Sequence, residues 1–168
     1  MPWILVFLLF FALPVAASEP QLRGQFKDWL IYDLREATGP TCYAMTRANK
    51  TTNDKGKNAR PKSRGQVLLQ VTRRPAESSA ATVSFVAGQR MKPGSTVRGQ
   101  TDRGTFVLKP DGDTAWTAKP SDDARIIQML RAGKWLTLTH TDRQGRLWVD
   151  HFSLNGTSAA QDAIGKCG

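Results

Sequence analysis

Apolar and polar residues alternate with a period of two along the middle of the chain. In residues 66–72, Val67, Leu69 and Val71 occupy every second position, and residues 82–87 alternate in the same way. This alternation predicts β-strands with one buried face. Residues that favour strands predict further β-strands at 26–33, 41–47, 96–98, 105–108, 115–116, 134–141 and 146–153.

Between residues 122 and 132 the apolar period changes to that of an amphipathic helix, with Ile126 and Leu130 on one face. Ser121 is a suitable N-cap, acidic residues follow in the first turn, and Gly133 stands where a C-terminal cap belongs. A short second helix is predicted at 158–164. The fold is therefore predicted to be mainly β: an antiparallel sandwich or partly open barrel with one inserted helix at 122–132 and a short C-terminal helix.

The N-terminal end has the pattern of an export signal. Residues 1–15 carry no charged side chain and are almost wholly apolar, and the small residues Ala16 and Ala17 follow. We expect a signal peptide over residues 1–17, cleaved after Ala17, and a single domain over residues 18–168 in the periplasm or outside the cell. The alternative is an uncleaved anchor, although the apolar run is shorter than the roughly 20 residues of a spanning helix. No later segment is long and apolar enough to cross a membrane.

Cys42 and Cys167 are the two cysteines of the chain. An even number of cysteines in an exported protein predicts a disulfide between the second predicted strand and the C-terminus. Two unpaired buried thiols are the alternative. A metal site is poorly supported, because the two cysteines are far apart and have no C-x-x-C spacing. No cofactor is predicted.

The formal net charge of +10 is concentrated in one segment. Residues 47–74 contain nine basic residues and one acid, and residues 48–65 are predicted to form a loop because they lack apolar periodicity. The candidate contacts to anionic envelope or host-surface components are Lys50, Lys55, Lys57, Arg60, Lys62 and Arg64. Nucleic acid is disfavoured because the loop has no aromatic residue on which a base could stack. The alternative is a solvated loop that only raises solubility.

The predicted hairpin at 134–153 carries the one arrangement typical of an enzyme. His140 and His151 lie on its two arms, and Asp150 adjoins the second. A periplasmic hydrolase that uses these three residues is the alternative to a non-enzymatic binding protein. We favour the latter, because the chain has no G-x-S-x-G turn and a catalytic base needs a partner within reach.

Three tryptophans of the second half, Trp116, Trp135 and Trp148, have two interpretations. They form a stacking platform for a ligand, or they fill the core and cover a sheet face. We favour packing, because one face of an antiparallel sheet must be buried.

An ordered set of short motifs runs through the chain beyond the export signal. The set consists of Cys42-Tyr43, Thr72-Arg73-Arg74-Pro75, Gly88, Gly112-Asp113-Thr114-Ala115-Trp116, Met129, Arg131, Gly133, Asp150, Ser153-Leu154, Gly156, Ala160 and Cys167. In this order the motifs resemble the invasion-associated locus B family of exported proteins of Gram-negative bacteria. The resemblance implies export, a β-rich fold and, in some pathogens, a link to host-cell invasion. It implies no known reaction and places no catalytic residue on this chain. The chain departs from the family pattern at residues 141–146. It also has Phe152 at a position where the family usually has tyrosine.

Overall fold

The computed structural model describes residues 19–59, 63–77 and 80–167. The predicted signal peptide and two of the predicted loop contacts, Arg60 and Lys62, lie outside these residues. The strands are β1 (Gln21–Phe26), β2 (Trp29–Glu36), β3 (Gly39–Arg47), β4 (Lys50–Asn53), β5 (Leu68–Arg73), β6 (Ala81–Val86), β7 (Val97–Thr101), β8 (Gly104–Asp111), β9 (Thr114–Trp116), β10 (Trp135–Thr141) and β11 (Leu147–Ser153). The helices are α1 (Pro120–Ala132) and α2 (Thr157–Gly165).

The strands form one antiparallel sheet in the order β1-β2-β3-β5-β6-β9-β8-β7-β10-β11-β4. The sheet has two halves, β1-β2-β3-β5-β6-β9 and β7-β10-β11-β4. Strand β8 joins them, because residues 104–108 pair with β7 and residues 109–111 pair with β9. The two halves share one core, in which the ring of Phe85 lies 5.4 Å from that of His140 and 6.3 Å from that of Phe152. The sheet does not close into a barrel, and the prediction of a mainly β, antiparallel fold with two helices is confirmed.

The two helices pack against the first half of the sheet and against each other. The carboxylate of Asp123 fixes α1 to β6, because it accepts the backbone N–H of Val83 at 2.7 Å and the hydroxyl of Thr117 at 3.0 Å. The N-cap of α1 is Lys119 rather than the predicted Ser121, since Pro120 has a backbone angle suited to the first helical position. In the described part of the chain, no helix is long and apolar enough to span a membrane.

The predicted first strand at 26–33 is wrong in part: residues 29–33 lie in β2, but residues 27 and 28 form the turn of a hairpin. Strands β1 and β2 pair as far as Phe26 and Trp29, and the chain reverses between them. Lys27 has a φ of 54°, a left-handed conformation that glycine and asparagine favour. A lysine at this position therefore does not predict a turn. Because β1 is an exposed edge strand, it also lacks the apolar alternation that would have predicted it.

The predicted loop at 48–65 is also wrong in part, because it contains β4. This strand pairs with β11 from Lys50 opposite His151 to Asn53 opposite Trp148. Strand β4 has four residues and no apolar side chain, so a hydrophobic pattern does not reveal it. The other predicted strands and both helices are confirmed to within three residues at each end.

Candidate functional site

The structure separates the three residues of the predicted hydrolase site. In the β10–β11 hairpin Leu138 pairs with Asp150, and Thr137 pairs with His151. Successive side chains of a strand alternate between its faces, so Asp150 lies on the core face and His151 on the outer face. His140 is also on the core face and is 1% exposed. The fold therefore brings His140 and Asp150 together and places His151 on the other side of the sheet.

Asp150 is the centre of a buried polar network that includes a residue of the predicted basic loop. Its carboxylate accepts two hydrogen bonds from the guanidinium of Arg64, at 2.9 Å to Oδ1 and 2.7 Å to Oδ2. The hydroxyl of Thr51 in β4 donates another to Oδ1 at 2.7 Å. Arg64 also donates from Nε to the carbonyl oxygen of Ala87 at 2.7 Å. The side chains of Arg64 and Asp150 are both 0% exposed, so water does not reach this ion pair.

His140 joins the network through one ring nitrogen. Its Nε2 lies 3.1 Å from Oδ2 of Asp150 and 3.1 Å from Nη2 of Arg64. A guanidinium only donates and a carboxylate only accepts. The Nε2 atom of a neutral imidazole therefore either accepts a hydrogen bond from Arg64 or donates one to Asp150, but not both. Nδ1 is buried without a hydrogen-bond partner in the described residues. Burial raises the pKa of Asp150, but hydrogen bonds with His140 and Arg64 outweigh burial and hold the pKa below that of a free aspartate.

The position of this network argues against acid–base catalysis. A general base must reach the proton of its substrate directly or through one water, whereas the side chains of His140 and Asp150 are both 0% exposed. Among residues 19–59, 63–77 and 80–167, no three or more His, Cys, Asp and Glu side chains are grouped so that they could hold a metal ion. The network ties together β4, β10, β11 and the segment around Arg64.

The structure corrects the prediction that Arg64 contacts an anionic surface, because this side chain is buried and paired. Next to Arg64, Gly65 contacts Gly88 of a distant segment. The N–H of Gly65 donates to the carbonyl oxygen of Gly88 at 2.8 Å. Gly88 has a φ of +68°, and an added Cβ would lie 2.6 Å from the carbonyl oxygen of Gly65. Position 88 therefore requires glycine, and the contact holds the segment that delivers Arg64 to the core.

A second carboxylate organises the turn between β10 and β11. Asp142 accepts the backbone N–H groups of Gln144 and Arg146, both at 2.9 Å. It also accepts the indole N–H of Trp148 at 2.9 Å and Nε of Arg146 at 2.7 Å. Burial raises the pKa of Asp142, but these hydrogen bonds lower it further than burial raises it. Trp148 is 5% exposed and lies 5.5 Å from the guanidinium carbon of Arg64, so this tryptophan packs in the core.

Exposed cations from three segments gather at one end of the sheet. Lys55 and Lys57 follow β4 in a turn closed by a 3.0 Å hydrogen bond from the N–H of Asn53 to the carbonyl oxygen of Lys57. Because Asn53 pairs with Trp148, this turn lies beside the turn between β10 and β11. A third segment joins them, since the N–H of Arg143 donates to the carbonyl oxygen of residue 90 at 3.2 Å. We call this surface the basic tip, which consists of Lys55, Lys57, Arg90, Lys92, Arg143 and Arg146.

The acids near the basic tip are fewer and partly neutralised. Asp54 is exposed immediately before Lys55, and Asp142 is buried and bound to Arg146. The turn at residues 111–113 contains Asp111 and Asp113. It lies beside Arg90, because the N–H of Met91 donates to the carbonyl oxygen of Gly112 at 2.8 Å. The tip is therefore most cationic where Lys55, Lys57 and the hairpin turn meet. Sequence reasoning missed the four arginine and lysine residues outside 48–65, because they are dispersed along the chain and only the strand pairing brings them together.

The predicted disulfide between Cys42 and Cys167 is confirmed, with 5.8 Å between the two Cα atoms. Cys42 lies in β3, and Cys167 follows α2. The bond therefore attaches the C-terminal helix to the middle of the first half-sheet. Both cysteines lie beside a cleft of about 710 Å³ between β1, β2 and α2.

Comparisons with known proteins identify a shared fold. No protein-family model matches this chain, and no curated protein matches it in sequence. Among solved structures, the crystal structure of invasion associated protein B from Bartonella henselae is similar, with a TM-score of 0.55 and 18% sequence identity. The match covers 88% of this chain and 96% of that one. The chain thus has the fold of that protein over nearly its whole length, in agreement with the resemblance that its ordered motifs suggest.

Proposed function

We propose that this protein is an exported, envelope-associated and non-enzymatic binding protein of the invasion-associated locus B type, and that its basic tip contacts anionic surfaces. The observation that carries the proposal is a difference in exposure between two groups of polar residues. The His140–Asp150 pair, which could have served catalysis, is enclosed in the core, whereas the cations of the tip are exposed.

Export is supported by two features besides the N-terminal apolar run. A disulfide such as Cys42–Cys167 persists in oxidising compartments such as the periplasm and is rare in the cytosol. The shared fold with invasion associated protein B from Bartonella henselae favours the same class of protein.

The electrostatics of the basic tip suit a phosphate-bearing envelope surface. Each lysine or arginine close to an anionic membrane contributes about 1 kcal/mol of attraction. Several cations on one tip therefore give reversible binding without a deep pocket. Such binding weakens steeply as salt rises, because attraction between exposed charges is screened within about 8–10 Å at physiological ionic strength.

We expect a variant that carries Lys55→Glu and Lys57→Glu to bind anionic vesicles at least about tenfold more weakly than the wild type. The two substitutions remove two attractive charges and add two repulsive ones at the most cationic part of the tip. The measurement is co-sedimentation of the mature protein with vesicles of phosphatidylglycerol and phosphatidylcholine, at several salt concentrations. Vesicles of phosphatidylcholine alone give the baseline.

The matched control carries Lys119→Glu and Lys166→Glu, which change the net charge equally at exposed positions outside the tip. We expect the control to keep most of the wild-type affinity. Equal, salt-independent binding by the wild type and the Lys55/Lys57 variant would refute the role of the tip. An equal loss in both variants would show that net charge, rather than this surface, determines binding.

A further inference from the structure

A second exposed feature lies at the other end of β4 from the basic tip. A groove of about 380 Å³ crosses the outer face of β4, β11 and β10. This volume lies within the range of about 300–1,000 Å³ that is usual for small-molecule sites. The polar residues that line it are Asn49, Lys50, Lys134, Thr137, His151 and Ser153, together with the indole of Trp135. We call it the Trp135 groove.

The strand register places the main groups of the groove on one face. Trp135 pairs with Ser153, His151 pairs with Thr137, and Lys50 pairs with His151 on the other side. All five positions are on the outer face, because the neighbouring core-face residues of each strand are buried. Neighbouring strands are about 4.8 Å apart and residues rise about 3.3 Å along a strand, so the positions of Trp135 and Lys50, two strands and two residues apart, are separated by about 12 Å. A disaccharide spans a similar length.

The indole of Trp135 lies on the outer face of the sheet, where Trp135 pairs with Ser153. It is 42% exposed, whereas Leu136 and Leu138 of the same strand are 0% exposed and fill the core. An indole offers a large, rigid and flat apolar surface with one polar N–H group. Around it, Thr137 and Ser153 provide hydroxyl groups that both donate and accept hydrogen bonds. A flat apolar surface bordered by hydroxyls is complementary to the C–H face of a pyranose ring and its hydroxyls.

The charges of the groove favour an anion. Its lining, which lies wholly within the described residues, contains the ammonium groups of Lys50 and Lys134 and no carboxylate. His151 adds an imidazole whose pKa is lowered, first by burial and then by the charge of Lys50. The carboxylate of Asp102 adjoins the groove, because it accepts the backbone N–H of Lys134 at 2.9 Å. Its charge is offset by Arg103, whose Nε lies 3.5 Å away.

We propose that the Trp135 groove binds an acidic saccharide, with the indole against a sugar ring and Lys50 and Lys134 at its anionic groups. The inference rests on the proposed role in binding anionic surfaces and adds a carbohydrate ligand at a second site. A lipid chain fits less well, because the apolar residues beneath the groove, Leu136 and Phe152, are 0% and 2% exposed and are covered by the sheet.

The test is a fluorescence binding titration of the mature protein with a labelled galacturonic acid hexamer. We expect Trp135→Ala to weaken binding about tenfold, since loss of one aromatic stacking contact has an effect of this order. The matched control is Trp116→Ala, which removes a tryptophan of the same 42% exposure outside the groove and should leave affinity unchanged. Fully methyl-esterified hexamer, which keeps the rings and loses the charge, should bind much more weakly than the acid.

The outcomes separate this inference from the function proposed for the basic tip. If Trp135→Ala and Trp116→Ala bind the hexamer equally, or if the methyl ester binds as well as the acid, the saccharide site is refuted. Vesicle binding should be unaffected by Trp135→Ala and sensitive to the Lys55/Lys57 variant. If vesicle binding instead falls with Trp135→Ala while hexamer binding does not, the groove contacts lipid headgroups, and the saccharide assignment is wrong.

Discussion

Replacement of Asp150 by alanine is expected to lower the free energy of unfolding by about 3–5 kcal/mol, because it leaves the buried guanidinium of Arg64 without a counter-charge. The substitution also removes the acceptor of the hydrogen bond that the hydroxyl of Thr51 donates. The measurement is urea-induced unfolding of the disulfide-bonded protein, followed by tryptophan fluorescence.

Two further variants keep this prediction testable if Asp150→Ala does not fold. Thr51→Val removes one hydrogen bond to the carboxylate and should cost about 1–3 kcal/mol. The paired replacement of Arg64 by methionine and Asp150 by leucine removes both charges, and should be more stable than Asp150→Ala alone. The matched control is Arg131→Ala, which breaks an ion pair with Asp162 that water screens, so stability should change little. An Asp150→Ala protein as stable as the Arg131→Ala protein would contradict the structural role of the network.

The same network has an acid-dependent signature. The pKa of Asp150 is lower in the folded protein than the value of about 3.9 for a free aspartate. Its contribution to stability is therefore fully present above that value and is lost as the pH falls through the lower, folded value. The paired variant lacks this carboxylate, so its unfolding free energy should decline less steeply in acid than that of the wild type.

Removal of the disulfide by Cys42→Ala and Cys167→Ala is expected to lower the free energy of unfolding by about 4–5 kcal/mol in the chain-entropy model. The effect is large because the cysteines are 125 residues apart, and the bond closes most of the domain into one loop. Urea unfolding of the double variant against the wild type measures it.

The position of the bond predicts where the variant loosens first. Helix α2 contacts β2 and β3, and the disulfide at Cys167 ties its C-terminal end to β3, so its amide hydrogens should exchange faster in the variant. Amides of β10 and β11, which do not depend on the disulfide for their pairing, provide the internal control. Free thiols at both positions in the exported protein, or equal exchange in α2 with and without the bond, would contradict this account.

The fold could be predicted largely from the sequence because its core strands alternate strictly. Val83 and Phe85 are each 0% exposed, and the half-buried strand that carries them follows directly from the period-two pattern. Strands β1 and β4 could not be predicted in this way. Both lie at the edges of the sheet. Strand β1 is exposed on both faces, and β4 buries threonines rather than apolar residues, so neither shows apolar alternation.

The site was harder to predict because it depends on contacts between distant segments. The alternation of Trp148, Asp150 and Phe152 places an acid on the core face, and a buried carboxylate requires a partner. Nothing local selects Arg64 from the nine basic residues of the segment, since it lies 86 positions from Asp150 and reaches it only through the Gly65–Gly88 contact. The basic tip likewise results from strand pairing rather than from a run of charge.

Amide chemical-shift mapping of the isotopically labelled mature protein, titrated with small phosphatidylglycerol-containing bicelles, tests the central claim most directly. That claim is that the exposed basic tip, rather than the buried His140–Asp150 pair, carries the function. We predict shift changes confined to residues 54–57, 90–92 and 143–146, with the amides of Thr51, His140 and Asp150 unchanged. Shift changes centred on the buried network or on the cleft beside the disulfide, with none at the tip, would contradict it.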